Sequence, residues 1–231
     1  MYGLTNIIEQ CIKIIISPKT KKIIYALYIG GSLKPEDRIE SSDIDIIGFV
    51  KDNFPIEFEK DFNRQLQNEI HNMQCKLRII YISEIKGGKP KSFIATLLPI
   101  RLFLRRLPCF PLIWGKEIDL STTIGPYSYR EELKVQTKLI QNYINRYNSD
   151  NPVPFEWIPK AILYISAVEL VLKYKSEYTT SFSEIEKQFK DEKSHIVHES
   201  MILRLKNYRI EEKEKDNYLV RVLDHLDELN I

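Results

Sequence analysis

The sequence predicts an α+β protein: a small mixed β-sheet with flanking helices over residues 1–118, then a helical bundle over 119–231. Three observations carry that prediction. Two short apolar runs, Ile23–Ile29 and the one that Asp43-Ile44-Asp45 leads into and that ends at Val50, are joined through a Gly-Gly-Ser turn and a polar loop. A third such run, Lys76–Ser83, follows a helix-patterned stretch, which is the arrangement of a crossover connection in a mixed sheet. From residue 127 onward the apolar residues recur at helical spacing.

Composition sets ordinary bounds. A chain of 231 residues can form one large domain or two small ones with a sizeable core. Its 43% hydrophobic and 29% charged content is that of a globular protein, and a net charge of +2 gives no general argument for nucleic acid or membrane surfaces. No apolar run approaches the roughly 18 residues of a membrane span. The opening MYGLTNIIEQCIKIIISPK lacks a basic stretch before its apolar part and does not read as a signal peptide. Cys11, Cys75 and Cys109 are odd in number, widely spaced and outside any CxxC pattern, which suits free thiols in a reducing cytoplasm. With no repeat or long linker, the two halves are expected to pack together around a cleft that would hold an acceptor substrate.

Asn6–Ile16 places Ile7, Ile8, Cys11, Ile12, Ile15 and Ile16 on one helical face, with Thr5 or Asn6 as cap and Pro18 as stop. Ile23–Ile29 is a buried strand ended by Gly30 and Gly31, where positive φ and bare amides become available, and Ser32 adds a hydroxyl. The three together are a candidate phosphate cradle, or an ordinary turn. In Ser42-Asp43-Ile44-Asp45-Ile46-Ile47 carboxylates alternate with isoleucine. On a strand both aspartates face one way, about 6–7 Å apart, while the isoleucines face a core. Adjacent carboxylates repel, and Mg²⁺ between them would remove that cost. A solvated acidic edge is the plainer alternative and stays open on the residues alone.

Gly-Gly-Ser, ten residues, then Asp-Ile-Asp resembles the signature of the nucleotidyltransferase superfamily that includes DNA polymerase β. The residues that carry the resemblance are Gly30, Gly31, Ser32, Ser42, Asp43 and Asp45. It resembles in particular the small enzymes that adenylylate antibiotics, a compact catalytic domain followed by helices. The resemblance implies a nucleotide site at Gly30, Gly31, Ser32 and Ser42, with Gly31 and Ser32 on the phosphates, and catalytic Mg²⁺ on Asp43 and Asp45.

The remaining elements are judged beside it. Leu33–Ser41 carries Lys34 and Arg38, candidates for phosphate, and Glu36 and Glu40, within sequence reach of a metal, although a charged loop of this kind is usually just solvated. Asp52–Met73 has a helical stripe of Phe58, Phe62, Leu66 and Ile70. In Lys76–Ser83 the superfamily commonly places a third carboxylate, and the matching slot holds Arg78, a candidate phosphate contact. The resemblance then leaves the general base to Glu84, just after that strand, or to Glu131 or Glu132, by analogy with the glutamate that the helical domain of kanamycin-type enzymes supplies. Glu84–Lys91 reads as a turn, and Ser92–Leu107 as helix broken at Pro99. Trp114-Gly115-Lys116 resembles the aromatic-Gly-basic end of the catalytic domain in antibiotic-type transferases.

The second half reads as helices over Tyr127–Tyr147, Ile158–Lys175, from Ser183 with Glu186 as a capping box, and Leu219–Leu229. His195 and His198 are three apart, but with no third ligand in view they read as structural. The resemblance implies transfer of NMP, AMP first, from NTP to a hydroxyl of an unidentified, small-molecule acceptor. No nucleic-acid surface or membrane partner is expected, and a homodimer stays open. The alternative, supported by Arg78, is a weak or inactive nucleotide-binding regulator on the same fold, such as an antitoxin-type partner.

Overall fold

The computed structural model describes residues 2–31, 37, 39, 42–70, 74–121 and 128–229. The chain divides into two compact units, Met1–Leu33 with Ser42–Pro126, and Lys34–Ser41 with Tyr127–Ile231.

The first unit is built on a four-stranded sheet of β1 (Ile24–Gly31), β2 (Ile44–Val50), β3 (Cys75–Tyr81) and β4 (Leu112–Gly115), in the order β3-β2-β1-β4. β1 is antiparallel to β2 and to β4, and β2 is parallel to β3. A parallel pair needs a crossover, and α2 (Ile56–Glu69) supplies it. One face of the sheet packs Leu27, Ile29, Ile44, Ile46, Leu77 and Ile79 against Cys11 and Ile15 of α1 (Tyr2–Ile15) and Leu66 of α2. The other packs Tyr28, Ile47, Phe49 and Ile80 against Ile94 of α4 (Phe93–Leu97) and Phe103 and Leu104 of α5 (Ile100–Leu104). Burial on both faces explains why β2 reads as a continuous apolar run after Asp45.

Several boundaries differ from the sequence reading for identifiable reasons. α1 stops at Ile15, before Pro18, where the Thr20 hydroxyl donates to the Ile15 carbonyl at 2.6 Å. β1 continues through both glycines instead of ending at them, and Gly30 does not take positive φ. The stretch after β3 is more than a turn: Ile82–Ile85 forms a helical turn, α3. Gly115 of the Trp-Gly-Lys tripeptide has φ +89°, and a Cβ there would lie 2.2 Å from the Tyr25 carbonyl oxygen. Only glycine fits that end of β4, so the tripeptide has a steric cause.

The second unit holds α6 (Tyr129–Tyr147), α7 (Trp157–Tyr174), α8 (Phe182–Gln188), α9 (Ile196–Leu205) and α10 (Glu212–Glu228). α7 is apolar nearly all round and lies at the centre, with Ile158, Ile162, Ile165 and Val168 among residues of α6, α9 and α10. The expected box of Ser183 and Glu186 does not form; Ser181 is the cap position of α8. Among the described residues no helix is long and apolar enough to cross a membrane.

Candidate functional site

The register of the sheet assembles the site. Gly30 pairs with Asp45 and Gly31 with Ile44 across the antiparallel β1–β2 ladder. Side chains alternate along a strand, so Asp45 shares its face with Ile47 and Phe49 and stands next to a position with no side chain. A Cβ on Gly30 would reach the Phe110 ring at 3.5 Å. The Phe110 ring therefore lies over that position. Asp43 lies two residues earlier, just outside the strand, and Ser42 before it is half-buried. Ser32, like Lys34, Glu36, Arg38 and Glu40, lies outside the described residues.

A feature that sequence reasoning missed stands opposite. In the parallel β2–β3 ladder the partner of Asp45 is Lys76, and the Lys76 ammonium donates to Asp43 Oδ2 at 2.9 Å. One lysine thus faces Asp45 by register and touches Asp43 by side chain. Arg78, two residues on, pairs with Ile47 and keeps to the same face. Its guanidinium turns aside, 3.9 Å from Glu59 of α2 and 4.9 Å over the Phe93 ring. Desolvation raises the Glu59 carboxyl despite the opposing charge of Arg78. The β3 residue paired with Asp45 is therefore Lys76, while Arg78 pairs with Ile47. Alternation marked both cations as one-faced, but register is a long-range property that the strand's own sequence does not contain.

The candidate bases fall in different surroundings. Glu84 is 2% exposed and accepts the backbone N–H groups of Tyr81 at 2.8 Å, Lys91 at 2.5 Å and Ser92 at 2.7 Å. Its carboxylate clasps the chain after β3, a structural task that occupies both oxygens. Glu131 is half-buried in the first turn of α6, with its N–H donating to the capping Ser128 hydroxyl at 3.3 Å. Glu132 is fully buried, and its Oε1 accepts from Gln136 at 2.7 Å.

The loop between the glycines and the aspartates has its own anchor. Asp37, 4% exposed, accepts the Ser183 N–H on Oδ1 at 2.8 Å. Its backbone carbonyl accepts from the buried Arg204 guanidinium at 2.8 Å, which also reaches Tyr208 and stacks 4.8 Å over Phe182. These bonds lie within the second unit, to which Asp37 is assigned.

Elsewhere in that unit His195 meets His225, not His198. Glu169 of α7 accepts from His195 Nε2 and from His225 Nε2, each at 3.0 Å. His198 bonds instead to Glu186 and the Phe189 carbonyl.

No family model matches this chain, and no curated protein sequence matches it. Among solved structures it is similar to "spectinomycin adenyltransferase AAD(9) from Enterococcus faecialis with ATP and spectinomycin", with a TM-score of 0.60 over 96% of this chain and 97% of that one. The two share 12% identity, so the likeness is one of architecture. This chain, with its mixed four-stranded sheet and following helices, shares the fold of that adenyltransferase.

Proposed function

We propose that this chain is a nucleotidyltransferase that moves NMP, AMP first, from NTP to a hydroxyl of a small-molecule acceptor with release of pyrophosphate. The observation that carries the reading is the pairing of Gly30 with Asp45 at one end of the sheet, with Asp43 just before it. Two carboxylates on one face are the donor set that a hard divalent ion takes, leaving its other positions to phosphate and water. Asp43 and Asp45 would hold Mg²⁺ once Lys76 turns off Asp43. When bound, the ion supplies charge neutralisation to the phosphates and to the departing pyrophosphate. Gly30 stands beside Asp45 with no side chain of its own, and Gly31 offers backbone amide to the phosphates. Lys76, released from Asp43, is placed to meet the same negative charge. The solved neighbour's ATP and spectinomycin support ATP and a hydroxylated small molecule as the first pair to try.

A second reading has one observation in its favour. The β3 residue beside Asp45 is a cation that already neutralises Asp43. A site with a resident ammonium suits a regulator that binds nucleotide without transferring it. The experiment is a panel of hydroxylated acceptors, spectinomycin included, with Mg²⁺ and α-labelled ATP. Label in a small molecule supports the transferase. Nucleotide binding with no transfer to any acceptor supports the regulator. No nucleotide binding at all defeats both.

A further inference from the structure

We infer that the helical unit carries a second site, independent of the first: a zinc site formed by His195 Nε2, His225 Nε2 and the Glu169 carboxylate. Among the described residues these ligand atoms all lie within 4.8 Å of one another. They come from three places in the chain: the middle of α7, the cap position of α9, and α10. All three side chains are close to nine-tenths buried, at 9%, 9% and 11% exposure. They stand at the wall of a cavity of about 680 Å³.

The chemistry of the set selects the ion. Two imidazoles and a carboxylate are borderline donors suited to zinc, whereas Mg²⁺ prefers oxygen alone. Zinc binds such atoms at about 2.0–2.1 Å, which sets tetrahedral ligands roughly 3.4 Å apart. Each imidazole nitrogen already lies 3.0 Å from a Glu169 oxygen, so modest movement admits the ion. Three protein ligands leave a fourth position open, and all three side chains line the cavity; this is the pattern of a site that keeps a water or takes a ligand. Burial pushes the Glu169 carboxyl up, but the hydrogen bonds from the two histidines outweigh that and lower it.

One bond opposes the ion. His195 Nδ1 accepts the Val197 N–H at 3.2 Å, so in the ion-free state its proton is on Nε2. Zinc on Nε2 moves that proton to Nδ1 and ends the cap. A lost cap weakens binding by roughly fivefold, small against the many orders of magnitude by which such sets hold zinc. His225 gives up its Nε2 proton in the same way. The other charged groups around the cavity are Arg130 and Lys134 of α6, Lys173 of α7, Glu192 ahead of α9, and Glu228 of α10. Lys173 is paired with Glu192 at 2.7 Å.

The test is calorimetric titration of the chelator-treated full chain with Zn²⁺ alone. The expected result is one ion per chain, tighter as pH rises. His225→Ala should weaken it on the order of a hundredfold or more, while His198→Ala, outside the cluster, should stay within about twofold. Co²⁺ serves as a second reading on the wild type, needing no variant to fold: tetrahedral or five-coordinate d–d bands are expected. An octahedral aquo-like spectrum, a thiolate charge-transfer band that moves the ion to a cysteine, or equal binding by both variants overturns the proposal.

Discussion

Removing the ammonium of Lys76 is the sharpest perturbation of the sheet site. Lys76 and Asp43 form a partly exposed pair, with side chains 32% and 21% accessible, at 2.9 Å. Solvent screens such a pair to about 0.5–1 kcal/mol. Lys76→Ala should therefore lower stability by about that amount in the absence of divalent ion, since two neighbouring carboxylates lose their counter-charge. Any Mg²⁺ that takes Asp43 in the native protein must first displace the lysine. The variant should accordingly bind Mg²⁺ about two- to fivefold more tightly, the same energy read as affinity. Thermal melts across a Mg²⁺ series, without nucleotide, give both quantities for wild type and variant. An unchanged or weaker Mg²⁺ response in Lys76→Ala would refute the reasoning, because the lysine and the ion would then not compete for one carboxylate.

Other consequences follow from buried polar groups. Glu84→Ala leaves the amides of Tyr81, Lys91 and Ser92 without their acceptor and should cost about 2–4 kcal/mol in urea unfolding, with Glu84→Gln recovering part. Arg204→Ala removes the donor to the Asp37 carbonyl and to Tyr208 and the stack on Phe182; a loss of about 2–4 kcal/mol is expected by the same measurement. Glu169 has a depressed carboxyl in the folded state, against an ordinary value of 4.5. A depressed carboxylate adds stability above its unfolded value and loses it as pH falls through the folded one. Stability should therefore decline on acidification below about pH 4.5, and Glu169→Gln should flatten that part of the curve, as followed by urea midpoints at successive pH values.

Local pattern made much of the fold legible. Period-two alternation in Ser42–Ile47 located the start of β2, with Asp45 inside it and Asp43 just before, and helical periodicity located α6 and α7 to within two residues. Pro99 divides α4 from α5 where proline chemistry says it should. What escaped notice depends on distant partners. Lys76 faces Asp45 only because β3 adds to β2 in one particular register, and nothing in KLRIIYIS states it. Asp37 sits in a charged loop that reads as solvated; its burial requires Arg204, which lies 167 positions away. His195 with His225 and Glu169 joins three helices, so spacing along the chain pointed to His198 instead. Glu84 seemed available for proton transfer because its three amide donors are backbone groups, which a residue string does not display.

Calorimetry of ATP binding with Mg²⁺, on wild type and on the double variant Asp43→Ala/Asp45→Ala, bears most directly on the sheet site. Binding in the wild type that requires the ion, and that disappears with both aspartates while the variant still melts cooperatively, is the predicted result. Equal ATP affinity in the two proteins would place the nucleotide elsewhere and contradict the account.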